Sequence, residues 1–132
     1  MTIRIDTIAE NECRYRTVGD WRIDENGDIA IQVVAMGDER YELLIAIHEM
    51  IEATLCKRDG VTTKQVDQYD LTHQNDDDPG LNPEAPYHDQ HMVAFAVEIL
   101  MAKVLGVDWV EYNETLDAVW ERIPERPTVA PA

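Results

Sequence analysis

The sequence predicts an α+β domain in which an antiparallel β ribbon is followed by a first long helix, a second long helix and a C-terminal helix. Two features predict this order: apolar residues alternate around an Asn-Gly pair near the N-terminus, and later segments repeat apolar residues at helical spacing. The 132 residues, 45% of them hydrophobic, supply one modest core. We therefore expect a single domain over residues 1–124 and a flexible C-terminal tail over 125–132.

The β ribbon is predicted from the segment DWRIDENGDIAIQVV. Its centre is Asn26-Gly27, a dipeptide that tolerates the positive φ angles of a tight hairpin turn. An earlier segment, TIRIDTI, alternates less regularly and could supply another strand. The alternating apolar residues of the ribbon are Trp21, Ile23, Ile29, Ile31 and Val33.

The first helix is predicted over residues 39–58. Asp38 can cap its N-terminus, an apolar-rich run extends from Tyr41 to Leu55, and Gly60 can end it.

The segment from Asp59 to Asp89 contains eight acidic residues and one basic residue. Thr62 and Gln65 form a capping box, which predicts a short helix here. The run 76–78 consists of three aspartates, and prolines follow it. This run lacks the spaced oxygen ligands of a calcium loop, so a solvated acidic loop is the better interpretation.

Two further helices complete the prediction. The second runs from about Tyr87 to Leu105 and is closed by Gly106. The third runs from Trp109 to Ile123, places its large apolar residues on one side, and ends at a proline.

Charge and cysteine content restrict the possible functions. The 27 acidic and 11 basic residues give a formal charge of −16, which argues against direct binding to nucleic acid or anionic lipid. Cys13 and Cys56 are too few for a disulfide framework, and the sequence shows no signal segment and no 18-residue apolar span. We expect a cytoplasmic protein with reduced thiols and no membrane partner.

The segment IHEMIEATLC places three ionisable residues in one of the most apolar parts of the chain. His48 and Glu52 lie four residues apart on one helix face, so both can reach one ion. Glu49 lies about 100° around the helix axis from His48. In the HExxH zinc-protease motif, the glutamate at this place points its carboxylate at metal-bound water. The motif here is HExxE, with a glutamate in place of the second histidine. It predicts two metal ligands, with Glu49 as general base.

The third ligand is predicted in the segment PYHDQHMVAFAVE. His91 is the preferred ligand, because it lies one turn inside the second helix, where packing can fix its rotamer. His88 is the alternative third ligand or a substrate-facing group. Glu98 is placed to orient a ligand of the facing helix. His73, in the acidic segment, is interpreted as a bystander.

A bare HExxE motif is common by chance on solvated helices, but this one has apolar surroundings. Buried Glu and His are unfavourable unless they are paired or metal-bound. An alternative without metal is that His48, Glu52 and His91 pair with one another in a buried polar network. Cys56 is interpreted as a core residue.

Four segments together carry a resemblance: RYRTVGDW, MGDERYELLIAIHEMIEATLC, DPG and APYHDQHMVAFAVEILMAKVLGVDW. In order and spacing they resemble a group of small uncharacterised bacteriophage and prophage proteins, over roughly residues 1 to 112. The resemblance implies a minimal zincin-like, metallopeptidase-like domain. His48, Glu49 and Glu52 match its helix motif, and His88 and His91 match its Pro-Tyr-His segment. The glutamate at position 52 departs from true zincin proteases.

These observations favour a metal-dependent hydrolase. We expect Zn²⁺, or another divalent metal, to be bound by His48, Glu52 and His91, with Glu49 as general base and a peptide or protein as substrate. The carboxylate ligand lowers the positive charge of the site and should weaken its Lewis acidity. A degenerate or structural metal site is therefore a further alternative.

Two other functions stay open from the sequence alone. The Glu49-x-x-Glu52 pair also suits a magnesium-dependent nucleotide pyrophosphatase, although the nearest ExxD, Glu114 to Asp117, lies far downstream. The other alternative is a non-enzymatic acidic phage protein that binds a host protein. Its carboxylates would imitate the row of phosphates along a nucleic acid.

Overall fold

The computed structural model describes residues 1–127 and shows an α+β fold, as predicted: a three-stranded sheet followed by four helices. Short 3-10 turns occur at Glu10–Glu12 and Pro79–Leu81. The strands are β1 (Ile3–Ile8), β2 (Gly19–Ile23) and β3 (Ile29–Val34), and the helices are α1 (Glu39–Asp59), α2 (Thr63–Leu71), α3 (His88–Val104) and α4 (Trp109–Arg122).

The sheet has the strand order β1-β3-β2. Strands β2 and β3 form the predicted antiparallel hairpin, and Gly27 in its turn has φ 80°. Strand β1 pairs with β3 in parallel, with Ile3 opposite Ile29. The sheet is therefore mixed, because the residues between β1 and β2 carry the chain to the opposite edge of β3.

The core lies on the inner face of the sheet, against α1. Ile29, Ile31 and Val33 project from β3 into this core and are almost completely buried. Helix α1 packs against β2 and β3 on one side and against α3 on the other. Because two sides of α1 are covered, its polar residues in the centre are buried together with its apolar ones. Within residues 1–127, no helix combines the length and apolar content needed to span a membrane.

Local capping interactions fix the helix starts that the sequence predicts. The side chain of Asp38 accepts a hydrogen bond from Arg40 N (2.9 Å) at the start of α1. At the start of α2, Gln65 Oε1 accepts from Thr62 N (2.8 Å) and Thr62 Oγ1 accepts from Gln65 N (3.2 Å). The predicted capping box is therefore present, and its reciprocal bonds satisfy backbone donors that the helix leaves free.

Arg14 connects the loop before β2 to α2. Its guanidinium group lies 2.7 Å from Asp20 Oδ2 and 2.7 Å from Asp67 Oδ2. The side chain of Asp20 is 8% exposed, and burial raises its pKa, although the hydrogen bond from Arg14 opposes that shift. Arg14 thus compensates a carboxylate that burial would otherwise disfavour.

The predicted tail at 125–132 falls only partly within the described residues. Arg126 N donates to Gln74 Oε1 (2.9 Å), and Gln74 Nε2 donates to the carbonyl oxygen of Arg126 (2.8 Å). These bonds hold the chain after α4 against the loop after α2. Residues 128–132 lie outside the described residues.

We predict that Arg14→Ala lowers the free energy of unfolding by about 2 kcal/mol, because Asp20 would be left buried without its counter-ion. The measurement is equilibrium unfolding in urea. The matched control is Arg22→Ala, an exposed arginine on β2, with an expected change within about 0.5 kcal/mol. Equal losses in the two variants would contradict a stabilising role for the Arg14 pairs.

Candidate metal centre

Three side chains from α1 and α3 converge at the interface between these helices. His48 Nε2 lies 3.1 Å from Glu52 Oε2 and 3.1 Å from His91 Nδ1, and His91 Nδ1 lies 2.8 Å from Glu52 Oε2. All three residues are buried, and they form a group able to hold a metal ion. Tetrahedral zinc with bonds of about 2.0 to 2.1 Å keeps its ligand atoms roughly 3.3 Å apart. The observed triangle is close to that size.

Glu98 fixes the orientation of His48 from α3. The Nδ1 atom of His48 donates to Glu98 Oε1 over 2.7 Å, and the hydroxyl of Tyr112 on α4 donates to Glu98 Oε2 over 2.7 Å. A carboxylate on the outer nitrogen of a histidine is typical of metal ligands, since it holds the lone pair of the other nitrogen toward the ion. This is the orienting role that the spacing of Glu98 predicts.

Trp21 fixes the outer oxygen of Glu52. Its Nε1–H, on β2, donates to Glu52 Oε1 over 3.0 Å in a buried environment. The other oxygen, Oε2, is left to face the two histidines. The sheet therefore contributes directly to the orientation of the carboxylate.

Asp78 and Gly80 position His91. Nε2 of His91 lies 2.9 Å from Asp78 Oδ1. The two atoms are close enough for an ion pair, but their geometry is not that of a hydrogen bond. The backbone of Gly80 packs on the imidazole so closely that an added Cβ would lie 2.4 Å from His91 Cγ. Only glycine leaves room for the ring at this place.

The arrangement brings three possible ligand atoms face to face. When each neutral imidazole carries its hydrogen on the outer nitrogen, beside Glu98 for His48 and beside Asp78 for His91, both inner nitrogens present lone pairs to Glu52 Oε2. Lone pairs at 2.8 to 3.1 Å repel unless a positive charge lies among them. Extra protons on the imidazoles or a metal ion can supply that charge, and they compete for the same atoms.

The pKa directions agree with this electrostatic picture. Burial disfavours the charged forms, but hydrogen bonds from His48 and His91 outweigh it and lower the pKa of Glu52 to about 2. Burial likewise opposes charge on His91, but Asp78 and Glu52 raise its pKa to about 9. The pKa of His48 also lies well above its usual value, since hydrogen bonds to Glu52 and Glu98 outweigh its burial. The site therefore attracts positive charge.

Glu49 differs from Glu52 in its surroundings. It is 9% exposed, and its carboxylate makes no hydrogen bond with any of residues 1–127. Burial, and then the negative charge of Glu52, raise its pKa well above the usual value. An added Cβ on Gly19 would lie 2.7 Å from Glu49 Oε1, so glycine at this position makes room for the carboxylate.

A cavity of about 330 Å³ opens onto the site. His48, Glu49, Glu52 and His91 all line it, so Glu49 and the ligand triangle share one space. Volumes of this size hold small ligands or one or two side chains. Its other lining residues include Tyr87, Phe95, Trp120, Asp77 and Asp117.

Not every histidine of the sequence joins the cluster. His88, the alternative third ligand, lies outside it: as the first residue of α3 it turns toward the Pro79–Leu81 turn, with Nδ1 2.9 Å from Gly80 O. His73 stacks on Tyr69 with ring centroids 3.9 Å apart; it lines the cavity without joining the group. Cys56 is completely buried in the core, as predicted.

Sequence reasoning missed the partners that other elements supply. Trp21 and Tyr112 fall on predicted apolar faces. Hydrophobic periodicity predicts that these side chains are buried, but it does not predict which groups their polar atoms bind. Asp78 belongs to the run interpreted as a solvated loop, but about a third of its side chain is exposed and it contacts His91. The Pro79-Gly80 pair after it is the one local signal of a constrained turn.

Comparisons of the chain with protein-family models, curated proteins and solved structures gave no match. The resemblance to small phage proteins therefore stays a prediction. A function has to be inferred from the geometry of the site.

Asp70, on the cavity wall, connects the site to α2. Its carboxylate accepts hydrogen bonds from the hydroxyls of Tyr15 (3.0 Å) and Tyr87. Burial raises the pKa of Asp70 to about 7, in spite of the two tyrosine donors. A folded-state pKa above that of the unfolded chain, about 3.9, means that the folded state binds the proton more tightly.

We therefore predict that Asp70 contributes stability below about pH 4, and that this stability is lost as the pH rises through about 7. Relative to Asp70→Asn, the wild-type chain should lose about 2 to 4 kcal/mol of unfolding free energy between these limits. Urea unfolding at several pH values measures the difference. The exposed Asp117→Asn is the control, with an expected pH dependence like that of wild type. Parallel curves for wild type and Asp70→Asn would contradict the prediction.

Proposed function

We propose that this chain is a zincin-like, metal-dependent hydrolase that binds one zinc or other divalent ion through His48 Nε2, Glu52 Oε2 and His91 Nδ1. The observation that supports it is the convergence of these two nitrogens and one oxygen within 2.8 to 3.1 Å of one another. The outer atom of each ligand is held by a different element of the fold.

The donor set favours zinc. Two imidazole nitrogens and one carboxylate oxygen suit this ion, and three protein ligands with one free position are characteristic of catalytic sites. The cavity borders the same three residues, so the free position can be reached from solvent. A bound divalent ion would supply Lewis acidity toward a scissile carbonyl.

Glu49 is suited to act as the general base. Burial raises its pKa well above the usual value, which makes the ionised carboxylate a stronger base, and it has no hydrogen-bond partner among the described residues. From the cavity wall it would take a proton from the attacking water and pass it to the leaving group. Gly19 maintains the space in which the carboxylate can turn.

The proposed substrate is a peptide or protein segment. Aromatic side chains of Tyr87, Phe95 and Trp120 line the cavity and can contact an apolar residue, while Asp77 and Asp117 can attract a basic one. The hairpin that precedes α1 is consistent with the zincin-like arrangement. Free thiols at Cys13 and Cys56 are consistent with action in a host-cell cytoplasm.

We predict that the protein, purified without added metal, contains about one zinc per chain, and that Glu52→Ala lowers this to background. His88→Ala is the matched control: it removes a histidine of α3 that lies outside the cluster, and it should retain the metal. Elemental analysis by plasma mass spectrometry gives the stoichiometry, and circular dichroism checks that each variant is folded.

Undiminished zinc in folded Glu52→Ala would contradict the ligand assignment. Magnesium in place of zinc, together with nucleotide turnover, would favour the pyrophosphatase alternative. Absence of any metal from the wild-type protein, even after dialysis against zinc, would contradict the proposal as a whole.

We further predict that Glu49→Gln keeps the zinc stoichiometry and lowers hydrolysis by at least about 100-fold, since the amide cannot accept the proton. The assay uses the zinc-loaded protein and a mixture of fluorescence-quenched peptides of randomised sequence. Glu39→Gln, at the exposed start of α1, is the control and should retain full activity. Equal rates for wild type and Glu49→Gln would exclude Glu49 as the base, and zinc-bound wild type without hydrolysis would restrict the site to a structural role.

A further inference from the structure

Helix α3 carries an apolar face on the side opposite to His91 and Glu98. Its large residues are well exposed: Met92 is 40%, Val93 49%, Ile99 42% and Leu100 61% exposed. A helix that is apolar on all sides is normally buried on all sides. In one copy of this chain, α1 covers only the inner side of α3.

The outer face is symmetric in sequence about Ala96, which is itself exposed. At 100° per residue, the exposed positions fall within about 60° of Ala96 on the helix surface. Each residue before Ala96 has a counterpart at the same distance after it, so Met92 corresponds to Leu100 and Val93 to Ile99. Both members of each pair are large and apolar.

The ends of the face carry opposite charges. Asp89 lies seven residues before Ala96, and Lys103 lies seven residues after it. Both are exposed, and neither side chain makes an ion pair within residues 1–127. An identical helix running antiparallel would place each Lys103 beside the Asp89 of the other copy.

We propose that a second copy of this chain docks on this face, as a two-fold symmetric dimer built on an antiparallel pair of α3 helices. The two-fold axis passes beside Ala96, where the small side chain lets the helices approach. Met92 meets Leu100, Val93 meets Ile99, and two Asp89–Lys103 pairs close the ends. Such a self-complementary patch is what a two-fold interface requires.

The charge distribution favours a second copy over another partner. The chain carries a formal charge of −16, so two copies repel over most of their surfaces. Between Gln90 and Gly106 the only acidic residue is Glu98, and it is buried on the inner side of α3. The outer face is thus a place where two copies can meet without opposing carboxylates.

The dimer does not rest on the proposed metal site. The ligand His91 lies on the inner side of α3, and the docking residues lie on the outer side. Metal content and oligomeric state can therefore fail or succeed separately.

The test is sedimentation equilibrium of the full chain over a concentration series, together with measured zinc content. The wild-type protein should show twice the 15.1 kDa mass of one chain. Ala96→Glu places two carboxylates at the axis and should give the monomer mass. Ile5→Glu, an exposed apolar residue on the edge strand β1, is the matched control and should stay dimeric.

The charge pair is tested by reversal. Lys103→Asp alone should raise the dissociation constant by about tenfold, and the double variant Asp89→Lys, Lys103→Asp should restore it. If Asp89 and Lys103 only stabilise their own helix through its dipole, the double variant should have a lower free energy of unfolding, and its dissociation constant should stay as high as that of Lys103→Asp. That result, or the mass of one chain for wild type up to about 1 mM, would overturn the proposal.

Discussion

The packing of α1 between the sheet and α3 is the constraint on which the rest of the structure depends. It buries His48, Glu49 and Glu52 on the sides of α1 that the sheet and α3 cover. Buried ionisable groups are unfavourable unless they are paired, bound to an ion or neutral, and burial favours the neutral form of Glu49. The contact between α1 and α3 is therefore as much electrostatic as apolar. His91 lies opposite Glu52 in this contact, and any cation bound there would use the same atoms that join the two helices.

The small size of the domain explains why several elements each hold some part of the site. Trp21 comes from β2, Glu98 from α3, Tyr112 from α4 and Asp78 from the segment before α3. A larger protein could orient its ligands with neighbours from one layer. Here the sheet, two helices and an acidic turn each provide one hydrogen bond or ion pair. Stability and site geometry are consequently linked through the same side chains.

Much of the fold could be predicted from the sequence because its signals are local. Asp38, the Thr62 capping box and Asn26-Gly27 each fix backbone geometry within a few residues, and the helices and hairpin occur where these signals place them. His91 could be chosen over His88 because its place one turn inside the helix limits its direction. The parallel pairing of β1 and the contact of Asp78 with His91 could not be predicted. Both depend on the path of a connecting segment, for which neither helical nor strand periodicity gives a signal.

The glutamate at position 52 changes the charge balance of the site. Counting only the helix motif, a divalent ion with ionised Glu49 and Glu52 would have a formal sum of zero, whereas an HExxH helix with one further neutral ligand would leave +1. A neutral motif is easier to bury, which suits a helix covered on two sides. It also attracts anionic groups less, and the surrounding charge of −16 acts in the same direction. A hydrolase built in this way should prefer neutral or basic substrate segments. Its ion would polarise the carbonyl less strongly, because the same carboxylate that makes the motif easier to bury also lowers the positive charge.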